Sequence, residues 1–143
     1  MIYLREINEK NFRESFKLKV CEHQKHFVAT VPVALARAYV YRDTAEPLLV
    51  YNDEEMIGFV LIREYEDTYC IDQFMIDQKY QGRGYGKVAM KQVIEKLRNQ
   101  RHYEKITLCY CEGNYTTRNL YEQLGFKHTG VIDGDEIIME FVL

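Results

Sequence analysis

The segment Gln81-Gly82-Arg83-Gly84-Tyr85-Gly86-Lys87 follows an apolar stretch that ends near Ile76. Beyond the segment, apolar residues recur at helical spacing up to about Arg98; these are Ala89, Met90, Val93, Ile94 and Leu97. The sequence therefore predicts a strand, a glycine-rich loop and a helix in that order. The amides of the loop lie at the N-terminus of the predicted helix, where they have no partner within the helix.

Such a loop is a candidate phosphate site, because unpaired amides and the positive end of a helix dipole both attract anions. Its glycines allow positive φ and let the backbone approach a ligand closely. Arg83 and Lys87 add positive charge that suits a diphosphate. A P-loop is a poor competitor, since Val88 stands where a metal-binding hydroxyl is required, and the dinucleotide fingerprint GxGxxG is not matched. Taken alone, a glycine-rich turn without a ligand is the alternative.

The rest of the chain is predicted to form further strands and helices. Strands are predicted at residues 2–7, 48–51, 56–63, 69–76, 106–110, 126–131 and 136–142. One helix is predicted at residues 8–19, with Asn8 as its cap and Phe12 and Phe16 on its buried face; others are predicted at residues 31–41 and 116–124. This order predicts an α+β, or mixed α/β, layered domain whose sheet is antiparallel in the middle. Because no linker interrupts it, residues 1–143 are predicted to form a single domain.

Composition and charge limit the classes of function. A net charge of −3 gives no reason to expect a nucleic-acid partner. Charged residues at the start and the lack of a long apolar run predict no membrane partner and a cytoplasmic location. The four histidines show no ligand spacing, so no metal is predicted.

Charge is distributed unevenly along the chain. Residues 43–77 hold ten acidic residues and one basic residue, whereas residues 79–105 hold eight basic residues and two acidic ones. Fields of opposite sign could attract a cationic ligand to one region and a polyanionic ligand to the other. Two solvated surfaces are the alternative.

Two motifs together resemble the GNAT acetyltransferases. Gln81-x-x-Gly84-x-Gly86 is similar to the Q/R-x-x-G-x-G/A loop that binds the acyl-CoA pyrophosphate in this family. Downstream, Asn114-x-x-Thr117-x-x-Leu120-Tyr121-x-x-x-Gly125-Phe126 is similar to the family's N-x-x-A-x-x-L-Y-x-x-x-G-F, with Thr117 where alanine is usual. The resemblance covers essentially the whole chain. It implies the GNAT acyl-CoA acyltransferase fold, a mostly antiparallel sheet of about seven strands flanked by about four helices.

The resemblance also implies acetyl-CoA as cosubstrate and a set of residues that bind it. The edge of the strand before the loop pairs with the pantetheine arm in this family, and an amide at or near Ile76 polarises the thioester. The implied cofactor-binding residues are Phe74, Met75, Ile76, Gln81, Gly82, Arg83, Gly84, Tyr85, Gly86, Lys87, Asn114 and Tyr121. Asn114 either lies near the pantetheine or caps the following helix.

Further segments resemble the bacterial diamine, spermine and spermidine acetyltransferases. They are Phe27-Val28-Ala29, Pro47-Leu48, Ile57-Gly58-Phe59, Phe74-Met75-Ile76-Asp77-x-x-Tyr80-Gln81-Gly82 and Gly134-Asp135-Glu136. This resemblance implies that the acceptor is a small amine of the polyamine class. Dimers are common among these relatives, so a homodimer is a further expectation, although the sequence shows no interface.

Two residues are candidates for proton transfer. Tyr121 occupies the family's position for a general acid, and a phenol with an ordinary pKa of about 10 holds its proton at neutral pH. A packed helix tyrosine is the alternative. Asp72 interrupts an apolar strand and matches a carboxylate that serves as base, through water, in related polyamine acetyltransferases, where it is usually glutamate. Its alternative is an edge-strand aspartate that faces water. Asp72, Glu22 and Glu136 are the predicted amine-binding carboxylates.

Two other functions stay open. The acceptor could be another amine, such as an antibiotic, an amino acid or a protein N-terminus, because acceptor specificity depends on loops whose shape the sequence does not reveal. A non-catalytic module that binds acyl-CoA is the second.

Overall fold

In a computed structural model that describes all residues, 1–143, the chain forms one seven-stranded sheet. The strands are β1 (Ile2–Glu6), β2 (Ala45–Asn52), β3 (Glu55–Tyr65), β4 (Thr68–Ile76), β5 (Lys105–Cys111), β6 (Lys127–Asp133) and β7 (Glu136–Val142). Their spatial order is β1-β2-β3-β4-β5-β7-β6. All neighbouring strands are antiparallel except β4 and β5, which are parallel. The predicted mixed α/β architecture is confirmed, and the expectation of an antiparallel middle holds for β3 and β4 but not for β4 and β5.

Four helices cover the sheet. They are α1 (Phe12–Ser15), α2 (Val31–Val40), α3 (Tyr85–Gln100) and α4 (Tyr115–Leu124), and short 3₁₀ turns occur at Glu22–Gln24 and Gln78–Tyr80. Helices α3 and α4 pack on one face, and α2 with the segment after α1 packs on the other. None of these helices has the length and apolar character needed to cross a bilayer.

The central strands are apolar at successive positions because both of their faces are buried. In β3, Phe59 and Leu61 belong to the core under α2, whereas Val60 and Ile62 belong to the core under α3. All five apolar residues that predicted α3 are buried. The helical spacing after the glycine loop therefore identified this element correctly.

The first helix is much shorter than predicted. The helix expected at residues 8–19 is only Phe12–Ser15, and Asn8 does not cap it. Instead, the Asn8 side-chain oxygen accepts hydrogen bonds from the amides of Lys10 and Asn11 at 2.8 and 3.1 Å, which closes a local turn that competes with helix. Phe16, predicted to be buried, is 46% exposed.

Strands β4 and β5 separate part-way along their length. They pair only where Tyr69–Ile71 faces Ile106–Leu108, so residues 72–76 and 109–111 diverge into a fork. On its other edge, β4 carries a bulge against β3, in which Gln73 faces Leu61, Ile71 faces Ile62, and Asp72 is the extra residue. The fork and the bulge therefore meet at Asp72.

Candidate active site

A cleft of about 500 Å³ opens at the fork. Its walls are the end of β4, the start of α3, one side of α4, and the connection between α1 and α2. A volume of this size suits a small-molecule ligand. Ten of the predicted cofactor-binding residues line it: Phe74, Met75, Ile76, Gln81, Gly82, Gly84, Tyr85, Gly86, Lys87 and Asn114.

The glycine loop presents free amides to this cleft. Gly84 is the N-cap of α3, with φ of 82°, and Gly82 also has positive φ, 77°. The first bond of the helix runs from the Val88 amide to the Gly84 carbonyl at 3.4 Å, so the amides of residues 85–87 have no partner within α3. A Cβ on either glycine would meet nothing within 4 Å. These glycines are therefore required by backbone conformation and not by crowding.

The two basic residues of the loop are placed differently. Lys87 lines the cleft, whereas Arg83 is exposed outside the lining, with its guanidinium 5.8 Å from the centre of the Tyr80 ring. The structure thus leaves Lys87 as the basic side chain in the cleft wall.

The end of β4 turns backbone groups into the fork. The Asp77 amide donates to the Ile57 carbonyl at 2.7 Å, so residue 77 faces β3. Because successive residues of a strand direct their backbone groups to opposite edges, Ile76 and Phe74 face the fork and Met75 faces β3. The contact of the Ile76 carbonyl is consistent with this orientation, since it accepts a hydrogen bond from the Gln81 side chain at 2.8 Å. The Ile76 amide therefore points into the cleft.

Gly58 keeps β3 close to this edge. A Cβ at Gly58 would lie 2.5 Å from the Met75 carbonyl oxygen and 2.9 Å from Cδ1 of Ile76, which is too close for any side chain. Because Gly58 has no side chain, β3 can lie this close to Met75 and Ile76.

Helix α4 contributes a second wall. The Asn114 side-chain oxygen accepts a hydrogen bond from the Thr117 amide at 3.4 Å, so Asn114 caps α4 as well as lining the cleft. Further lining residues were not predicted from the sequence: Val20, Gln24, Phe27, Val28, Tyr80, Thr116, Thr117, Asn119, Leu120 and Gln123. Of those on α4, Thr117 and Leu120 belong to the motif that begins at Asn114, and helical spacing next to that motif could have found Thr116, Asn119 and Gln123.

Tyr121 lies under the cleft and does not line it. It is 4% exposed, its ring packs 5.5 Å from that of Phe126, and its neighbours Leu120 and Thr117 line the cleft. Burial raises the pKa of the Tyr121 phenol well above its ordinary value, and the Cys109 thiol adds to this effect. The phenol therefore keeps its proton at neutral pH.

Asp72 is bound by two arginines. Its carboxylate lies 3.3 Å from Nη1 of Arg37, on α2, and 3.8 Å from Nη1 of Arg63, on β3. The Arg63 guanidinium also lies 3.9 Å from the centre of the Tyr41 ring, and its buried Nε has no hydrogen-bond partner. Two guanidinium groups around one carboxylate leave a surplus positive charge.

The other predicted carboxylates lie outside the cleft lining. Glu22 is exposed and pairs with Lys25 at 2.7 Å, and this hydrogen bond holds the pKa of Glu22 below its ordinary value. Glu136 is exposed at the start of β7, opposite Cys111 on the part of β5 beyond the fork. The structure does not bring the three predicted amine-binding carboxylates together in the cleft.

Comparison with known proteins identifies the family. Residues 3–126 match the family described as the acetyltransferase (GNAT) family. The chain belongs to this family. It is 26% identical to the spermine/spermidine N(1)-acetyltransferase of Bacillus subtilis (strain 168), over 97% of both chains.

Solved GNAT structures share the fold. A spermidine N-acetyltransferase from Vibrio cholerae, in complex with CoA and spermine, superposes with a TM-score of 0.77 at 19% identity, over 99% of this chain and 95% of that chain. An aminoglycoside acetyltransferase in complex with coenzyme A gives a TM-score of 0.82 at 17% identity, over 99% of this chain and 95% of that chain. The family, the fold and the enzyme class predicted from the sequence are thus confirmed. This GNAT protein is an acetyl-CoA-dependent N-acetyltransferase.

Proposed function

We propose that this GNAT enzyme transfers acetyl from acetyl-CoA to a primary amine of a polyamine of the spermine or spermidine type. The observation that supports the transfer step is the fork, where the Ile76 amide points into a cleft that also contains the free amides of residues 85–87. The polyamine class is supported by the Bacillus subtilis relative, which matches over 97% of both chains.

We assign the cofactor to the long axis of this cleft. The amides of residues 85–87 and the Lys87 ammonium suit the diphosphate, since they combine unpaired donors with positive charge. The backbone of Phe74 and Ile76 suits the pantetheine amides, because β5 has diverged and leaves that edge of β4 free. At the end of this path, the Ile76 amide would donate to the thioester oxygen and stabilise the charge that develops there.

Acetyl transfer requires a proton at the departing sulfur and removal of one from the amine. We assign the first to Tyr121, which lies beneath the cleft wall formed by Thr117 and Leu120 and whose raised pKa keeps it protonated. Asp72 is the proposed acceptor of the amine proton, through water. Arg37 and Arg63 already contact its carboxylate, so the water must share that carboxylate with two guanidinium groups.

We assign the amine to the other side of the fork, where Asp72 lies on the β4 branch and Glu136, on β7, pairs with Cys111 of the β5 branch. An extended polyamine carries several ammonium groups and needs anions along its length. Glu22, on the segment between α1 and α2, is the third proposed carboxylate.

A second candidate substrate is favoured by the arginines around Asp72. Arg37 is 51% exposed and has donors left for a ligand, and the cluster carries one surplus positive charge. Such a cluster suits an amine that also bears a carboxylate, such as an amino acid. Lysine and cadaverine separate the two candidates, since they differ only in that carboxylate.

The experiment is a thiol-release assay with acetyl-CoA against spermine, spermidine, putrescine, cadaverine, lysine and an aminoglycoside. Turnover with the polyamines and a higher kcat/KM for cadaverine than for lysine would support the proposal. Preference for lysine would support the second candidate. Binding of CoA without turnover of any amine would contradict both.

We further propose that residues 1–143 act as one domain, because strands from both ends of the chain belong to the same sheet. The cytoplasmic location and the homodimer stay predictions.

A further inference from the structure

The glycine loop is hydrogen-bonded to the segment between α1 and α2, which forms another wall of the cleft. The Gln81 side-chain amide donates to the Ile76 carbonyl at 2.8 Å and to the Gln24 side-chain oxygen at 3.0 Å. The Cys21 thiol donates back to the Gln81 side-chain oxygen at 3.5 Å. One side chain thus contacts the end of β4, the 3₁₀ turn at Glu22–Gln24, and the residue before that turn.

The same segment is attached at its start. The Lys19 amide donates to the Asp77 carboxylate at 3.0 Å, and the Lys19 carbonyl accepts a hydrogen bond from the Gln78 amide at 2.8 Å. Asp77 is 2% exposed and also accepts from the Lys79 amide at 3.0 Å. Residues 19–24 therefore lie against residues 76–81, which lead directly into the glycine loop.

Gln24 connects these hydrogen bonds to the wall of the cleft. Its side-chain oxygen also accepts a hydrogen bond from the Cys21 amide at 3.1 Å, which closes the 3₁₀ turn. Gln24 lines the cleft with Val20, Phe27 and Val28. A shift of Gln24 therefore moves both a wall of the cleft and the turn that carries Glu22, one of the proposed amine-binding carboxylates.

We propose that Gln81 and Gln24 are positioning residues that couple the cofactor loop to the acceptor segment, defined as residues 19–28. A cofactor held on the loop fixes Gln81, and Gln81 in turn fixes Gln24 and the wall formed by the acceptor segment. This inference rests on the proposed site for the cofactor, but it does not depend on which amine is the acceptor.

The test compares Gln81→Met and Gln24→Met, which remove the shared hydrogen bond from either side, with Gln92→Met as control. Gln92 is exposed on α3 and does not line the cleft. Gln24→Met leaves the bond from Gln81 to Ile76 in place, so it isolates the contact between the two glutamines.

The first readout is hydrogen exchange with and without CoA. In the wild type and in Gln92→Met, CoA should protect residues 82–88 and also residues 19–28. In Gln81→Met and Gln24→Met, protection of residues 82–88 should remain and protection of residues 19–28 should be lost. The coupling would be overturned if CoA protected residues 82–88 but not residues 19–28 in the wild type. It would also be overturned if CoA protected residues 19–28 equally in every variant. An unprotected loop would overturn the proposed cofactor site as well.

The second readout is steady-state kinetics with the best acceptor. Loss of one hydrogen bond should raise the KM for the amine about five-fold, with the KM for acetyl-CoA changed by less than about two-fold. The double variant should raise the KM by less than the product of the two single effects, because both single variants remove the same shared contact. Equal rises in both KM values, or additive effects, would indicate a general structural role and contradict the proposal.

Discussion

The Arg37 guanidinium donates a hydrogen bond at 3.3 Å to the carboxylate of Asp72, the bulge residue at which β4 separates from β5. This contact lies on the face of the sheet that α2 covers, opposite α3 and α4. Arg37 therefore shares the proposed acceptor side with the carboxylate proposed as base. It either competes with a substrate ammonium or binds a substrate carboxylate, and the two cases predict opposite effects of its removal.

Replacing Arg37 with glutamine should separate the two candidate substrates. If the acceptor is a polyamine, Arg37→Gln should lower the KM for cadaverine about five-fold, because an exposed ion pair of about 1 kcal/mol no longer competes for Asp72. If the acceptor is an amino acid, the KM for lysine should rise by a similar factor. The control is Arg42→Gln, since Arg42 follows the same helix but bonds the Tyr39 carbonyl. Unchanged KM values for both amines would place Arg37 away from the acceptor.

Replacing Tyr121 with phenylalanine should slow the chemical step. Tyr121→Phe should reduce kcat by about 10²-fold, the usual contribution of a general acid, and leave the Kd for CoA nearly unchanged. Tyr110→Phe is a matched control, because Tyr110 is buried in the same core and its hydroxyl contacts His128 at 2.7 Å. Single-turnover rates and calorimetry with CoA measure both effects. Equal reductions of kcat in the two variants would contradict the assignment of Tyr121 as general acid.

The pH dependence of turnover should reflect the buried phenol. The acid form of Tyr121 is the active one, and burial raises its pKa above the ordinary value. A raised pKa means that the proton is lost only at higher pH, so kcat should show no decline from Tyr121 up to about pH 10. A profile of kcat at saturating amine checks this. A decline in the wild type with a midpoint well below about pH 10, absent from Tyr121→Phe, would contradict it.

Gly58 should be intolerant of any side chain. Gly58→Ala puts a Cβ 2.5 Å from the Met75 carbonyl oxygen, so β3 and β4 must move apart, at a cost of about 1–3 kcal/mol in the free energy of unfolding. The same movement displaces Ile76 and should lower kcat. Gly86→Ala is the control for stability, because its Cβ meets only side-chain atoms, the nearest at 3.6 Å. Urea unfolding of both variants measures the difference, and equal stabilities would show that the two strands can adjust.

Gly84 should matter for cofactor affinity more than for stability. Gly84→Ala and Gly113→Ala both place alanine at positive φ, 82° and 93°, in open space, so each should cost about 1 kcal/mol of stability. Only Gly84 lines the cleft. Gly84→Ala should therefore raise the Kd for CoA about ten-fold, as expected for a misplaced set of charge-assisted hydrogen bonds, and Gly113→Ala should not. Calorimetry that found both variants equally affected would contradict a local role for Gly84.

Local patterns were enough to predict the loop and its helix. Positive φ at Gly82 and Gly84, the buried face of α3 and the cap at Asn114 all depend on residues that are close together in the sequence. The family motifs extended this local information to the cofactor and to the reaction.

Contacts between distant elements could not be predicted in the same way. Asp72 is the extra residue of a bulge, and its two arginines come from α2 and β3, so their meeting depends on the register of the sheet. Gln24 and Gln81 are 57 residues apart and share no pattern. Even the length of α1 was mispredicted, because the side chains of Asn8 and Asn11 bond neighbouring amides and close a turn.

The most direct test of the account is a titration of the ¹⁵N-labelled protein with CoA, followed through its backbone amide signals. If the cofactor's diphosphate binds the free amides at the start of α3, the largest shifts should occur at Tyr85, Gly86 and Lys87. CoA binding that left these three signals unchanged, with the largest shifts elsewhere in the chain, would contradict the account.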